Sequence, residues 1–169
     1  MIGRGRLVLA ILALCVAAGP LIGLAAGMVL EVSIYAVDWL LKQIWSLSLT
    51  GGLALDDPFF PEKRFLLRPN LALVPIAYVL GGVQAVAGGL FLGRRFSRVP
   101  PADGPTQPLA AGLVLGLVFA AMVSPRGLGG NVAESLLAFA IPIVIHVAAA
   151  AGCWALARLL VRRLRRKTA

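Results

Sequence analysis

Acidic residues and histidine are scarce in this chain. Seven Asp and Glu and one His stand among 169 residues, and charged residues of both signs make up only 14%. General acid–base catalysis and metal binding both need several such groups brought together, and no stretch carries a spacing that would do so. Nucleotide-binding signatures are missing as well. No catalytic residue, cofactor or metal is therefore expected, and an enzyme is the least favoured reading. Cys15 and Cys153 each lie inside an apolar run with no Cys or His at ligand spacing. They read as buried free thiols behaving as small hydrophobes, and a structural disulfide is not expected.

What the chain does have is apolar surface: hydrophobic residues are 60% of it. A soluble domain of this length cannot hide so much, whereas a bilayer removes the need to. The net charge of +9 would suggest nucleic acid in a soluble protein. Here the basic residues sit at the ends of apolar runs, where they read as orientation signals, so nucleic acid is not an expected partner. Arg4 and Arg6 precede an apolar run from Leu7 to Leu30. That run is too long for a signal-peptide core and shows no convincing cleavage site, so it reads as a retained anchor.

The pattern along the chain predicts an all-α, polytopic helical membrane protein: a single membrane domain with four transmembrane helices and an interfacial amphipathic helix. The spans are 7–30, 71–93, 109–123 and 136–157, the third being short for a crossing. Gly19-Pro20 predicts a kink in the first. Residues 31–49 keep helical periodicity with a polar face, and read as a helical extension or as a separate amphipathic helix at the outer surface. Glu31, Asp38, Trp39, Lys42 and Trp45 are its interfacial residues, with Asp38 and Lys42 at pairing distance on a solvated face. Residues 50–70 are a loop broken by Gly51, Gly52, Pro58, Pro61 and Pro69. Residues 124–131 read as a flexible turn, and 158–169 as a basic tail.

Counting Lys and Arg orients the spans. Arg4, Arg6, Arg94, Arg95, Arg98, Arg158, Arg162, Arg163, Arg165, Arg166 and Lys167 fall on one side of a four-crossing topology. Lys42, Lys63, Arg64, Arg68 and Arg126 fall on the other, together with every acidic residue except Asp103. The positive-inside rule then predicts an inner-membrane protein with both termini cytoplasmic.

Small residues four apart mark packing faces: Gly19, Gly23 and Gly27; Gly81, Ala85 and Gly89; Gly112, Gly116 and Ala120. Gln84 and His146 are the intramembrane polar residues, about equally deep by residue count. They are expected to face the bundle interior, bonded to each other directly or through water. With no acidic residue inside a span, a structural imidazole is favoured over a proton relay.

The segment from Ala77 to Leu90, a Tyr and paired Gly leading into a small-residue helix, resembles one in small uncharacterised four-helix membrane proteins of proteobacteria. In those proteins Pro often stands where this chain has Gln84, and the Gly19-Pro20 pair is also similar. The resemblance implies a fold and a membrane and carries no activity. Function is therefore not legible beyond a class: an accessory or structural membrane subunit packing through glycine faces, with lipid, other membrane proteins or its own copies as partners. The alternative is a small transporter or channel component with a polar path at Gln84 and His146.

Overall fold

The computed structural model of the chain describes residues 4–53, 73–98, 104–123 and 132–166. They form four helices: α1 (Arg4–Thr50), α2 (Leu73–Arg98), α3 (Thr106–Val123) and α4 (Val132–Arg166). The stretches expected to be the 54–70 part of the external loop and the 124–131 turn lie outside the described residues, as does the end of the basic tail from Lys167.

Local chemistry accounts for the helix limits. α1 runs unbroken through Pro20 for 47 residues, about 70 Å of helix. It stops at Gly51, whose φ of 70° is the left-handed turn that glycine adopts without a Cβ penalty. The Gly51 amide donates back to the Leu47 carbonyl at 3.1 Å, closing that turn. At the start of α3 the Leu109 amide donates to the Pro105 carbonyl at 3.0 Å. Pro108 sits in that first turn, where its missing N–H costs nothing.

Residues 31–49 continue α1 as the same helix, so the extension is present and a separate helix is not. Glu31, expected at the interface, is fully buried within the chain, at 0% exposure. It closes a row at four-residue intervals, Ile11, Cys15, Gly19, Gly23, Gly27 and Glu31, all buried along α1. Its position in the packing row, not its polarity, decides where the side chain goes. Trp45 by contrast is exposed, and Lys42 pairs with Asp38 at 3.2 Å on the helix surface.

Consecutive helices run antiparallel. Along α1, Val8, Leu12 and Pro20 meet Gly93, Gly89 and Gly81 of α2 in reverse order. Gly19 lies against Cys153 of α4 and Gly23 against Ile145, while Gly112 and Gly116 of α3 meet His146 and Ile143. The spatial order is thus α2, α1, α4, α3, with α2 also touching α4. At one end, where α1 begins and α2 and α4 finish, Ile11, Cys15, Leu92, Phe96, Cys153, Ala157 and Val161 form a buried apolar core.

Three of these contacts leave no space for a side chain. A methyl group on Gly116 would lie 2.6 Å from the Ile143 Cα, one on Gly23 2.8 Å from the Ile145 carbonyl oxygen, and one on Gly112 2.8 Å from the His146 carbonyl oxygen. Backbones that close gain dispersion contacts across a wide strip, which is how helices associate when no hydrophobic effect acts between them.

The outward faces are apolar. Val79 and Val83 of α2 are 76% and 79% exposed, and Met122 of α3 is 69% exposed. Two helices, Arg4–Thr50 and Phe139–Leu164, are long and apolar enough to cross a membrane, and Thr106–Met122 is a shorter apolar helix. Only 28% and 17% of the two apolar windows are buried, unlike the core helix of a soluble protein.

Gly116→Ala should destabilise the fold by about 1–3 kcal/mol, because the new methyl meets backbone that cannot yield. Gly88→Ala has open space and should be neutral or stabilising by up to about 1 kcal/mol through helix propensity. Reversible unfolding of both variants in mixed detergent measures the difference, and equal stabilities would contradict the packing described.

Candidate functional site

α2 and α3 stand on either side of α4 without packing on each other, and the space between them is an apolar groove of about 680 Å³. α4 forms its floor with a strip of α1. Its polar side chains are Gln84 of α2 and His146 and Cys153 of α4; the rest of the lining is Gly, Ala, Pro, Leu, Ile and Phe.

Gln84 and His146 are brought together, but not side chain to side chain. The Gln84 amide nitrogen donates to the main-chain carbonyl of His146 at 3.2 Å. The imidazole turns back along its own helix, where Nδ1 donates to the Pro142 carbonyl at 2.7 Å. A carbonyl oxygen only accepts, so Nδ1 carries the hydrogen. The Phe119 ring of α3 lies against the imidazole, with ring centres 5.4 Å apart and tilted by 36°. His146 is buried at 7% exposure.

Other polar contacts between helices also end on main-chain carbonyls. The Tyr78 hydroxyl donates to the Ala17 carbonyl at 2.6 Å, next to the Val16 carbonyl whose helical donor Pro20 removes. The Cys153 thiol points at the Cys15 carbonyl at 3.8 Å, a weak contact. Both thiols are free and buried, and the fold sets them side by side between α1 and α4. Their separation of 138 residues gave the sequence no means of pairing them.

The small-residue rows are consumed inside the chain. Gly19, Gly23, Gly81, Gly89, Gly112 and Gly116 each face a neighbouring helix at contact distance, and Ala85 is buried beside Gly19. Gly27 is also buried. Among the interfacial residues, Trp39 is half-buried and Asp38 and Lys42 form the ion pair already noted. Glu31 is the buried acid that sequence reasoning missed; its place in the four-residue row was the available signal.

Chemically the groove has an imidazole, a thiol and an amide already engaged. Among the described residues no three of His, Cys, Asp and Glu come together to hold a metal. No nucleophile–base–orienter arrangement is present in the lining either. The groove lining is apolar apart from Gln84, His146 and Cys153. No family model, curated protein or solved structure matches this chain.

Labelled at its one histidine with a magnetic nitrogen isotope, the protein should show a ring carrying hydrogen on Nδ1; a ring without it would remove the Pro142 bond. Gln84→Leu should cost only about 0.6 kcal/mol in detergent unfolding, the usual worth of an interhelical hydrogen bond in membranes.

Proposed function

We propose that this protein is a small accessory subunit of the cytoplasmic membrane, crossing it four times with both termini inside. It acts through contact with lipid and other membrane proteins rather than by catalysis. One observation carries the orientation: the alternating helix directions gather the basic residues at a single end. Arg4 and Arg6 open α1, Arg94, Arg95 and Arg98 close α2, and Arg158, Arg162, Arg163, Arg165 and Arg166 close α4. Between the ends, α2 has no charged residue from Leu73 to Gly93, and α3 has none at all. Basic ends gathered on one side of an apolar zone support the positive-inside orientation.

The short third helix fits the same reading. Its 18 residues span about 27 Å, close to the ~30 Å of a hydrocarbon core, and its glycine face lies on the middle of α4. The central place of α1 supports a retained anchor, since both α2 and α4 pack on it. A transporter or channel component has one observation in its favour, the shared groove position of Gln84 and His146. Both side chains nevertheless give their donors to main-chain carbonyls, and apolar lining surrounds them, so a hydrated path has little to run along. With the glycine faces occupied internally, a partner protein would meet the outward apolar faces.

Reporter fusions after Gly93 and after Ala169 should read cytoplasmic, and a fusion at Asp57 external; a cytoplasmic signal at Asp57 removes the orientation. Deleting the chain should lower the abundance of a membrane complex that co-isolates with it in gentle detergent. If it migrates alone and its deletion changes no other membrane protein, the accessory role is lost.

A further inference from the structure

We infer that the groove between α2 and α3 is a binding site for one anionic phospholipid, its acyl chain along the groove and its phosphate at Arg95 and Arg98. This rests on the membrane assignment above, and goes beyond it by naming a ligand and its site.

The geometry begins with spacing. Ala77, Gly81, Gln84, Gly88 and Phe91 line the groove from α2. They follow one another at steps of four and three, which keeps them on a single stripe of the helix. The next two members of that series are Arg95 and Arg98, so the apolar stripe ends in two guanidinium groups. Arg95 is half-buried and Arg98 exposed. Guanidinium groups match phosphate oxygens through paired N–H donors, and they do so at the end where the basic residues place the leaflet headgroups.

Length and the order of apolar and charged residues together point to the occupant. From Ala77 to Phe91 the stripe is about 21 Å long. One leaflet of hydrocarbon is about 15 Å deep, so a chain entering from the arginine end runs the length of its leaflet within the groove. A lipid joins an apolar chain to an anionic headgroup, the same order in which the stripe presents its groove-lining residues and then its two arginines. The lining of the groove is apolar apart from Gln84, His146 and Cys153, and the Gln84 amide nitrogen and the imidazole Nδ1 each donate to a main-chain carbonyl.

The test uses the full chain in mild detergent, with native mass spectrometry counting retained lipid after titration with phosphatidylglycerol or phosphatidylcholine. The wild type should retain one phosphatidylglycerol in clear preference to phosphatidylcholine. Arg95→Gln with Arg98→Gln should weaken phosphatidylglycerol retention about tenfold or more and erase the preference. Arg162→Gln with Arg166→Gln removes the same charge from exposed positions of α4 turned away from its groove face, and should leave retention unchanged. Gly88→Leu fills the groove where a side chain meets no neighbour, and should block both lipids while the helical signal and elution volume stay native. Equal loss in both arginine pairs would mean diffuse attraction and overturn the site. So would undiminished retention in Gly88→Leu, or a second copy of the chain in place of the lipid. The reporter fusions read the membrane assignment independently, so failure of the lipid site and failure of that assignment give different results.

Discussion

Close approach of main chain to main chain is the constraint from which the rest of this fold follows. Between helices with apolar surroundings no water is released on contact, so association depends on dispersion and on a few hydrogen bonds. Both fall steeply with distance. Gly23 against the Ile145 carbonyl and Gly116 against the Ile143 Cα bring two backbones within a distance that any side chain would prevent. The same proximity explains why Tyr78, Gln84 and Cys153 all end on carbonyl oxygens of another helix rather than on side chains. Where backbones lie this near, the carbonyl is the acceptor within reach.

The four helices are not tied equally. α1, α2 and α4 share three such polar contacts together with the buried core at the basic end. α3 lies on α4 through Gly112 and Gly116, with the ring contact between Phe119 and His146 beside them. α3 packs on one helix and α2 on the opposite side of the same layer, so the wedge between them stays open. The groove is a consequence of that asymmetry. A compact square bundle would have filled it with side chains from both helices. Instead the α2 stripe keeps Gly81, Ala77 and Gly88, which are too small to reach across.

The chain itself made the helices legible, because helix formation is a local matter of propensity and apolar run length. The stretches 109–123 and 136–157 lie inside α3 and α4, and 7–30 lies inside α1. The length of α1 was legible only as alternatives, since residues 31–49 read as an extension or as a separate helix. An acidic residue after an apolar run signals an interface in one dimension, yet nothing local stops the helix before Gly51, so it continues for about twenty more residues. Glu31 shows the same limit in a side chain: polarity argued for the surface, and the four-residue packing row carried it inside.

By itself, then, the sequence determined the all-helical class, the apolar lengths and the concentration of positive charge at particular helix ends. Each depends on residues near one another in the chain. Tertiary structure alone decided which rows meet, that Cys15 and Cys153 become neighbours, that Gln84 finds the main chain of His146 and not its ring, and that α2 and α3 stand apart. Periodicity defines a face, but it carries no information about which helix that face will meet or at what rotation. Those are settled by the sum of close contacts over several helices at once, and a single position in the chain contains no trace of that sum.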